Sequence, residues 1–238
     1  CLPRAGGAPY CRGQGTSGQI GDGYYTARTS PTAVSGLLAV QWISAGMDAT
    51  CAAQFSGVPW CWGQDSSGVL GNGSAPASPL PDQVVSLLGV SKILISKVPS
   101  NHACAMTSAG ATYCWGYNAN GALGLGNTNS RTSPALVSML GGDASDIAVG
   151  LETSCTALTD GTARCWGKGD YGSLGDGSGS GSLVPVTVSG LSTAASISCT
   201  NNTYCAVTTN REVWCWGKSD AGQLGNPGVV LRRLIKGG

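Results

Sequence analysis

The chain has 238 residues, a net charge of +1 and 38 glycines, and only 11% of its side chains are charged. So much glycine and so little charge predict a fold that is rich in turns and strands, with few helices. The near balance of acidic and basic residues excludes a protein that attracts nucleic acid by long-range electrostatics. No apolar run reaches the roughly 18 residues that a membrane span needs, so we predict no membrane insertion.

Ten cysteines form pairs with a constant separation of ten residues. The second cysteine of four pairs opens the tripeptide Cys-Trp-Gly, and the first repeat has Cys11-Arg12-Gly13 instead. Successive second cysteines, at positions 11, 61, 114, 165 and 215, are 50, 53, 51 and 50 residues apart. A unit of about 50 residues present five times is typical of propellers and solenoids. We therefore predict a single domain over residues 1–238.

Residues 40–89 form one representative repeat, and its first half predicts three strands. Val40 to Gly46 alternates like a half-buried strand, and Thr50 to Gln54 with Pro59 to Trp62 predicts a β-hairpin. An odd number of loop residues requires one residue in the left-handed region, usually glycine. That offset carries Gly7, Gly57, Gly110, Gly161 and Arg211. Before the arginine stands Asn210, which tolerates the left-handed conformation.

The ten-residue spacing places the two cysteines of each hairpin opposite each other, about 4.5 Å apart at Cα, within reach of a disulfide. We predict five disulfides: Cys1 with Cys11, Cys51 with Cys61, Cys104 with Cys114, Cys155 with Cys165, and Cys205 with Cys215. A single histidine beside eleven cysteines favours disulfides over zinc. Because disulfides persist in oxidising compartments, the chain is predicted to be secreted or on the cell surface. Cys199 falls outside these pairs and is predicted to be a buried, reduced thiol.

The second half of each repeat carries two further motifs. Gly-x-Leu/Ile-Gly follows the Cys-Trp-Gly tripeptide, as in Gly68 to Gly71, and four repeats continue with Pro-x-x-Val, as in Pro81 to Val84. Proline cannot donate to a ladder, so it is predicted to begin an outer edge strand. Four short strands per repeat, ending on an edge, predict an all-β propeller of five blades.

With these motifs aligned, the chain resembles the regulator of chromosome condensation repeat family over essentially all of its length. The resemblance implies a β-propeller fold and says far less about activity, because the family supports several unrelated functions. The cysteine-stapled form resembles secreted members. The family usually has seven blades, so the alternative is that these five repeats form part of a seven-bladed propeller.

The end of the chain yields a prediction about closure. Leu234 to Gly238 matches Trp42 to Gly46 of an inner strand, while the chain starts at the first hairpin cysteine. We predict that this C-terminal strand completes the first blade and closes a five-bladed ring within one chain. The alternative is that it completes the first blade of the next copy and builds a fibre.

The single histidine, His102, is the first candidate for chemistry. A catalytic or metal-binding role needs convergent partners, but the equivalent positions of other repeats carry Ala49, Thr153 and Thr203. We therefore predict a structural role. No Ser/His/Asp set, phosphate-binding loop or paired carboxylate motif is present, so we predict no catalytic residue, no cofactor-binding residue and no metal ligand.

Four tryptophans, Trp62, Trp115, Trp166 and Trp216, recur at the repeat period, which predicts packing between blades. Trp42, Trp60 and Trp214 lie outside that pattern and are predicted to be partly exposed. Two sequons mark Asn72 and Asn201 as candidate N-glycosylation sites on a secreted surface, with Asn72 the better candidate.

Three functional hypotheses follow. The first is a non-enzymatic extracellular propeller that serves as a structural, adhesion or protein-interaction module, within a larger assembly or by self-association. The second is a ligand-binding propeller, either a lectin that binds glycans or a secreted inhibitor. The third, a guanine-nucleotide exchange factor, requires a reducing compartment, which ten paired cysteines disfavour.

Overall fold

The structure, a computed structural model, describes residues 1–4, 6–73, 76–97 and 102–225, together with the backbone of residues 231–234. Within these ranges the chain forms β-strands and one short 3-10 helix, Asp170–Gly172. The predicted all-β class is confirmed. No helix among the described residues has both the length and the apolar character needed to cross a membrane.

The strands form five antiparallel sheets in chain order. Sheet 1 contains β1 (Tyr10–Gly13) and β2 (Arg28–Ala33). Sheet 2 contains β3 (Val40–Ala45), β4 (Ala49–Gln54), β5 (Pro59–Gly63) and β6 (Ser78–Gln83). Sheet 3 contains β7 (Val90–Ile95), β8 (His102–Thr107), β9 (Thr112–Gly116) and β10 (Arg131–Leu136). Sheet 4 contains β11 (Ala144–Val149), β12 (Thr153–Leu158), β13 (Ala163–Gly167) and β14 (Ser182–Thr187). Sheet 5 contains β15 (Ala194–Thr200), β16 (Thr203–Thr208), β17 (Val213–Gly217) and β18 (Leu231–Leu234).

Each four-stranded sheet is a meander in which sequence neighbours pair, as expected for a propeller blade. Sheet 1 has two strands, with one further bridge between Leu2 and Tyr10.

The chain divides into two compact units. The first contains Cys1–Tyr117 and Ser130–Leu136, which hold sheets 1, 2 and 3. The second contains Asn118–Asn129 and the described residues from Val137 onward, which hold sheets 4 and 5. A single domain over residues 1–238 stays a prediction.

The core of the first unit lies between successive sheets. Trp115 of sheet 3 packs in one cluster with Leu70 and Val84 of the preceding repeat, and all three side chains are buried. Trp62 of sheet 2 packs in the same way with Ile20 and Val34. In this unit, neighbouring repeats thus bury their apolar side chains against each other, because a single small sheet cannot cover them alone.

The prolines of the Pro-x-x-Val motif lie inside the outer strands, so the prediction that they begin those strands is wrong. Pro81, for example, is the fourth residue of β6. The register changes next to it, because Cys61 faces Asp82 while Gly63 faces Ser78. A proline is tolerated at such a bulge on an edge strand, where the ladder needs no N–H from it.

The described part of the C-terminal segment also corrects a prediction. Leu231–Leu234 pairs with β17, with Cys215 opposite Arg232, and so forms the outer strand of sheet 5. This strand begins 16 residues after Cys215, whereas β6 begins 17 residues after Cys61. Leu234 is therefore part of an outer strand and does not act as an inner strand that completes the first blade. The rest of the predicted closing strand, residues 235–238, lies outside the described residues.

The left-handed residue of the hairpin turns was predicted correctly in three repeats. Gly57, Gly110 and Gly161 have φ values of 80°, 82° and 84°. In the first hairpin Gly6, and not Gly7, has positive φ. In the last hairpin Arg211 itself adopts φ 64°, and the neighbouring Asn210, although it tolerates this conformation, does not adopt it.

Candidate functional site

The disulfides occupy the middle of each hairpin. The structure joins Cys1 to Cys11, Cys51 to Cys61, Cys104 to Cys114, Cys155 to Cys165 and Cys205 to Cys215, with Cα atoms 4.0–4.1 Å apart. In sheets 2 to 5 the two cysteines face each other directly in the register. Each bridge closes a loop of eleven residues, for which the chain-entropy model gives about 2–3 kcal/mol.

The four recurrent tryptophans connect neighbouring repeats. Each is buried, and its indole N–H donates to a main-chain carbonyl of the preceding Gly-x-Leu/Ile-Gly motif. The pairs are Trp62 with Gln19, Trp115 with Val69, Trp166 with Ala122 and Trp216 with Ser173, at 2.8–3.0 Å. These side chains are buried and hydrogen-bonded, so they offer no surface to a ligand.

The last glycine of the same motif makes room for the indole ring. At Gly71, with φ 67°, an added Cβ atom would lie 2.7 Å from the Trp115 Nε1 atom. Gly175 has φ 66°, and there the corresponding distance to Trp216 Nε1 is 3.0 Å. A Cβ at these positions would therefore collide with the ring, which explains why the sequence repeats glycine there.

The other three tryptophans are partly exposed, as predicted. Trp42 of β3 is 37% exposed, and the Lys92 ammonium group lies 4.8 Å from the centre of its ring. The indole N–H of Trp60 donates to Gln54 Oε1 at 2.9 Å. Trp60 and Trp214 are half-buried. Trp42 is thus the tryptophan of this group that offers most of its surface to solvent.

His102 lies fully buried at the start of β8. It faces Gly116, as Thr153 faces Gly167 and Thr203 faces Gly217 in later repeats. Those threonine hydroxyls donate to the carbonyls of Lys168 and Lys218 within their own repeats. His102 therefore occupies a structural position of the repeat. Among the described residues, no three His, Cys, Asp or Glu side chains form a group that could hold a metal ion.

Cys199 is half-buried, so the prediction of a buried thiol is wrong in degree. It faces Tyr204 across β15 and β16, beside a shallow hollow lined by Ser198, Thr200 and Gln223. Tyr204 is fully buried, and its hydroxyl donates to the Thr153 carbonyl at 2.7 Å. Burial, with a smaller contribution from the neighbouring Cys199, raises the pKa of this phenol well above its usual value.

The sequons differ in accessibility. Asn72 is half-buried, and its side-chain amide donates to Asp82 Oδ2 at 3.4 Å. Asn201 is exposed in the turn between β15 and β16, with φ 40°. The geometry favours Asn201, the reverse of the order expected from sequence, and glycan occupancy stays a prediction.

Sequence reasoning missed Asp65, a buried carboxyl in the loop after β5. It is 6% exposed; Oδ1 accepts from the Leu70 N–H at 3.1 Å, and Oδ2 has no hydrogen-bond partner among the described residues. Asn118 occupies the same offset in the next repeat, where Oδ1 accepts from Leu123 and the amide donates to the carbonyls of Asn127 and Asn129. Burial raises the pKa of Asp65, although backbone hydrogen bonds from Leu70 and its neighbours oppose this effect. Comparing the two repeats at this offset would have found it.

Comparison with known proteins agrees with this geometry. The sequence pattern described as "Regulator of chromosome condensation (RCC1) repeat" matches residues 109–157 and 160–207, and a second pattern of the same description matches residues 194–223. The chain belongs to the regulator of chromosome condensation repeat family. The Cys-Trp-Gly tripeptides at 114–116, 165–167 and 215–217 and the Gly-x-Leu-Gly motifs at 121–124 and 172–175 lie within the matched residues, whereas the motifs of the first two repeats precede them.

Among relatives of this family, the chain is 33% identical over 192 residues to the ultraviolet-B receptor UVR8 of Arabidopsis thaliana, covering 79% of this chain and 44% of the receptor. It is 38% identical over 92 residues to the human E3 ubiquitin-protein ligase HERC2, covering 37% of this chain and 2% of the ligase. The chain therefore spans less than half the length of either curated relative.

Two solved structures share the fold. The structure of Kap60 bound to yeast RCC1 (Prp20) matches all of this chain and 60% of its own, with a TM-score of 0.83 and 20% identity. Human WBSCR16 matches 94% of this chain and 60% of its own, with a TM-score of 0.82 and 20% identity. At this identity the likeness shows the β-propeller fold alone.

Proposed function

We propose that this chain is a non-enzymatic extracellular β-propeller that binds other proteins, as a structural or adhesion module within a larger assembly. The observation that carries the proposal is the disulfide in every hairpin, because five such bridges persist only in an oxidising compartment. The family supports the interaction role. Yeast Prp20 is solved bound to Kap60, and its binding to Gsp1p and histones is recorded.

The arrangement of the chemistry also supports a binding module. The buried hydroxyls of Thr153 and Thr203 serve the fold by donating to nearby carbonyls. A propeller of this kind offers rigid loops at the edges of its sheets, and binding residues commonly lie on loops held by such a scaffold.

Oxidative folding can be tested directly. The chain is expressed behind a secretory signal and, separately, in a reducing cytosol, and intact masses are measured without reduction. We expect the secreted product to carry the five intra-hairpin bridges and to resist unfolding, and the cytosolic product to be reduced and less stable. A cytosolic product that is equally stable with all thiols reduced contradicts an extracellular assignment.

Partner binding needs a separate experiment. The oxidised chain and a reduced, alkylated chain are immobilised in parallel and exposed to secreted proteins from the source. We expect proteins that are retained by the oxidised chain and lost on the reduced control, with no signal on a glycan array. Glycan binding without protein retention favours the lectin alternative, and accelerated nucleotide release from a small GTPase favours the exchange factor.

One observation supports the lectin alternative. Tyr24 and Tyr25 are adjacent and exposed, and the Arg28 guanidinium lies 5.2 Å from the centre of the Tyr24 ring. Exposed aromatic rings beside a polar group can stack against sugars. The variant Tyr24→Ser with Tyr25→Ser tests this surface. If sugars bind there, the variant must lose sugar binding.

A further inference from the structure

A continuous face of uncharged loops lies on the first unit. It consists of residues 34–39, 55–58 and 84–89, hereafter the loop face. The Phe55 N–H donates to the Ala39 carbonyl at 2.9 Å, and the Val90 N–H donates to the Gly57 carbonyl at 2.9 Å. At Gly57 an added Cβ atom would lie 2.7 Å from Gly89 Cα, so the loops of sheets 2 and 3 touch. The face is thus one hydrogen-bonded surface built from three segments.

Three large apolar side chains stand out from the loop face. Leu38, Phe55 and Leu88 are 57%, 65% and 67% exposed. The leucines that precede two of them, Leu37 and Leu87, are buried and anchor the loops. Exposed apolar side chains that cluster on one surface are typical of an interaction site.

The fold does not require these apolar side chains. At the offset of Leu38 and Leu88, later repeats carry Gly141 and Ser192. At the offset of Phe55, later repeats carry Ser108, Thr159 and Thr209. Because the same turns form with small or polar residues, the fold does not depend on large apolar side chains at these positions.

The loop face also differs from its counterparts in charge. Its three segments contain no Asp, Glu, Lys or Arg. The equivalent loops of the second unit include Asp143, Asp160, Arg211 and Glu212. A partner of the loop face must therefore bring apolar contacts and needs no complementary charge.

We propose that the loop face binds the loop face of a second copy of this chain across a two-fold axis. An uncharged apolar surface is complementary to itself, which a two-fold interface requires. The net charge of +1 gives two copies little long-range repulsion. A shallow hollow lined by Gln83, Ser86, Leu87 and Leu88 adjoins this surface. This inference rests on the proposed interaction function and names its partner.

The test measures the mass of the chain in solution by analytical ultracentrifugation, at about 100 µM, where a dimer of micromolar affinity is populated. The chain has a mass of 23.8 kDa, so we expect about twice that value for the wild type. The triple variant Leu38→Ser, Phe55→Thr and Leu88→Ser, which introduces residue types found at these offsets in other repeats, is expected to be monomeric. A matched control, Leu80→Ser with Leu136→Ser, removes apolar side chains that are 45% and 48% exposed on the outer strands of sheets 2 and 3, and it is expected to dimerise like the wild type.

The outcomes separate cleanly. A monomeric wild type overturns self-association while leaving binding to other proteins intact. A dimeric triple variant, or a monomeric Leu80→Ser, Leu136→Ser control, overturns the loop face as the interface. If the triple variant fails to form its five disulfides, the single variant Phe55→Thr replaces it, with an expected weakening of the dimer of about tenfold or more.

Discussion

The indole N–H of Trp115 donates to the Val69 carbonyl at 2.8 Å, and the residue opposite Trp115 is Ala103, whose side chain cannot donate a hydrogen bond. The equivalent carbonyl of Ala122 accepts from Trp166 at 2.8 Å and also from the Ser154 hydroxyl at 2.9 Å. Two repeats with the same architecture therefore depend on their tryptophans to different extents.

We expect Trp115→Phe to destabilise the chain more than Trp166→Phe. Both variants lose ring volume, but a hydroxyl like that of Ser154 can still donate to the carbonyl only in the second, because Ala103 stands at that position in the first, a difference of about 1 kcal/mol. Denaturant unfolding of both variants measures it. Equal losses of stability would show that ring packing outweighs the hydrogen bond.

Asp65→Asn is expected to stabilise the chain at neutral pH. The folded-state pKa of Asp65 is raised above the ordinary value of 3.8, chiefly by burial, so the folded state loses stability as the pH rises through that raised pKa. Asparagine at this offset, as in Asn118, carries no charge and can donate to nearby carbonyls. We expect the free energy of unfolding to rise by about 1–3 kcal/mol at neutral pH, which is the usual cost of an unpaired buried polar group. This gain should shrink as the pH falls towards 3.8.

The control for this pH dependence is Asp160→Asn. The exposed Asp160 carboxylate accepts from the Thr162 hydroxyl and N–H, and these bonds lower its pKa. Its contribution to stability is therefore present above the ordinary aspartate pKa and is lost as the pH falls through the lowered pKa. The two variants must show opposite signs at neutral pH, and a shared sign would contradict the assignment of Asp65.

The repeat pattern predicted the sheets well because it records contacts that recur in every unit. The ten-residue spacing predicted the hairpin register, and the tryptophan period predicted packing between repeats. The outer strands were placed less well, since a proline inside a bulge resembles a proline at a strand start. Leu234, the first residue of the predicted closing strand, was assigned to an inner strand and lies in an outer one, because a short apolar segment fits both positions.

The features that distinguish one repeat from another were harder to predict from the sequence. The half-buried state of Cys199, the unpaired oxygen of Asp65 and the exposure of Phe55 all depend on neighbouring loops and on burial. A periodic sequence reports what its repeats share. Leu38, Phe55 and Leu88 are large and apolar, whereas the same offsets of later repeats carry small or polar residues. A comparison of the repeats would therefore have identified the loop face from the sequence.

Arg211→Gly is expected to stabilise the last hairpin. Arg211 is exposed and adopts φ 64°, a conformation that costs a residue with a Cβ atom roughly 1–2 kcal/mol and glycine little. After the larger entropy of glycine in the unfolded chain is subtracted, we expect a gain of about 0.5–1 kcal/mol in the free energy of unfolding. Thermal and denaturant unfolding check it.

The reverse substitution in another hairpin provides the comparison. Gly161 has φ 84°, and an added Cβ atom would lie 2.4 Å from the Ser192 carbonyl oxygen. Gly161→Ala therefore adds a backbone clash to the strain, and we expect a loss of more than about 2 kcal/mol. A stable Gly161→Ala variant would mean that these turns relax easily and that the gain at Arg211 should vanish.

The disulfides are expected to open in a defined order under native conditions. Thiol–disulfide exchange requires access to a sulfur atom. Cys1 is exposed and Cys205 is half-buried, whereas both cysteines of the other three bridges are at most 1% exposed. Graded treatment with a dithiol, followed by alkylation and peptide mapping, should therefore find Cys1–Cys11 reduced first and Cys205–Cys215 second. The three bridges of sheets 2, 3 and 4 should open only on unfolding. Reduction of each bridge should lower the free energy of unfolding by about 2–3 kcal/mol. Early labelling of Cys51 or Cys104 would show that those sheets open locally, and would weaken the view that the bridges hold rigid loops for a partner.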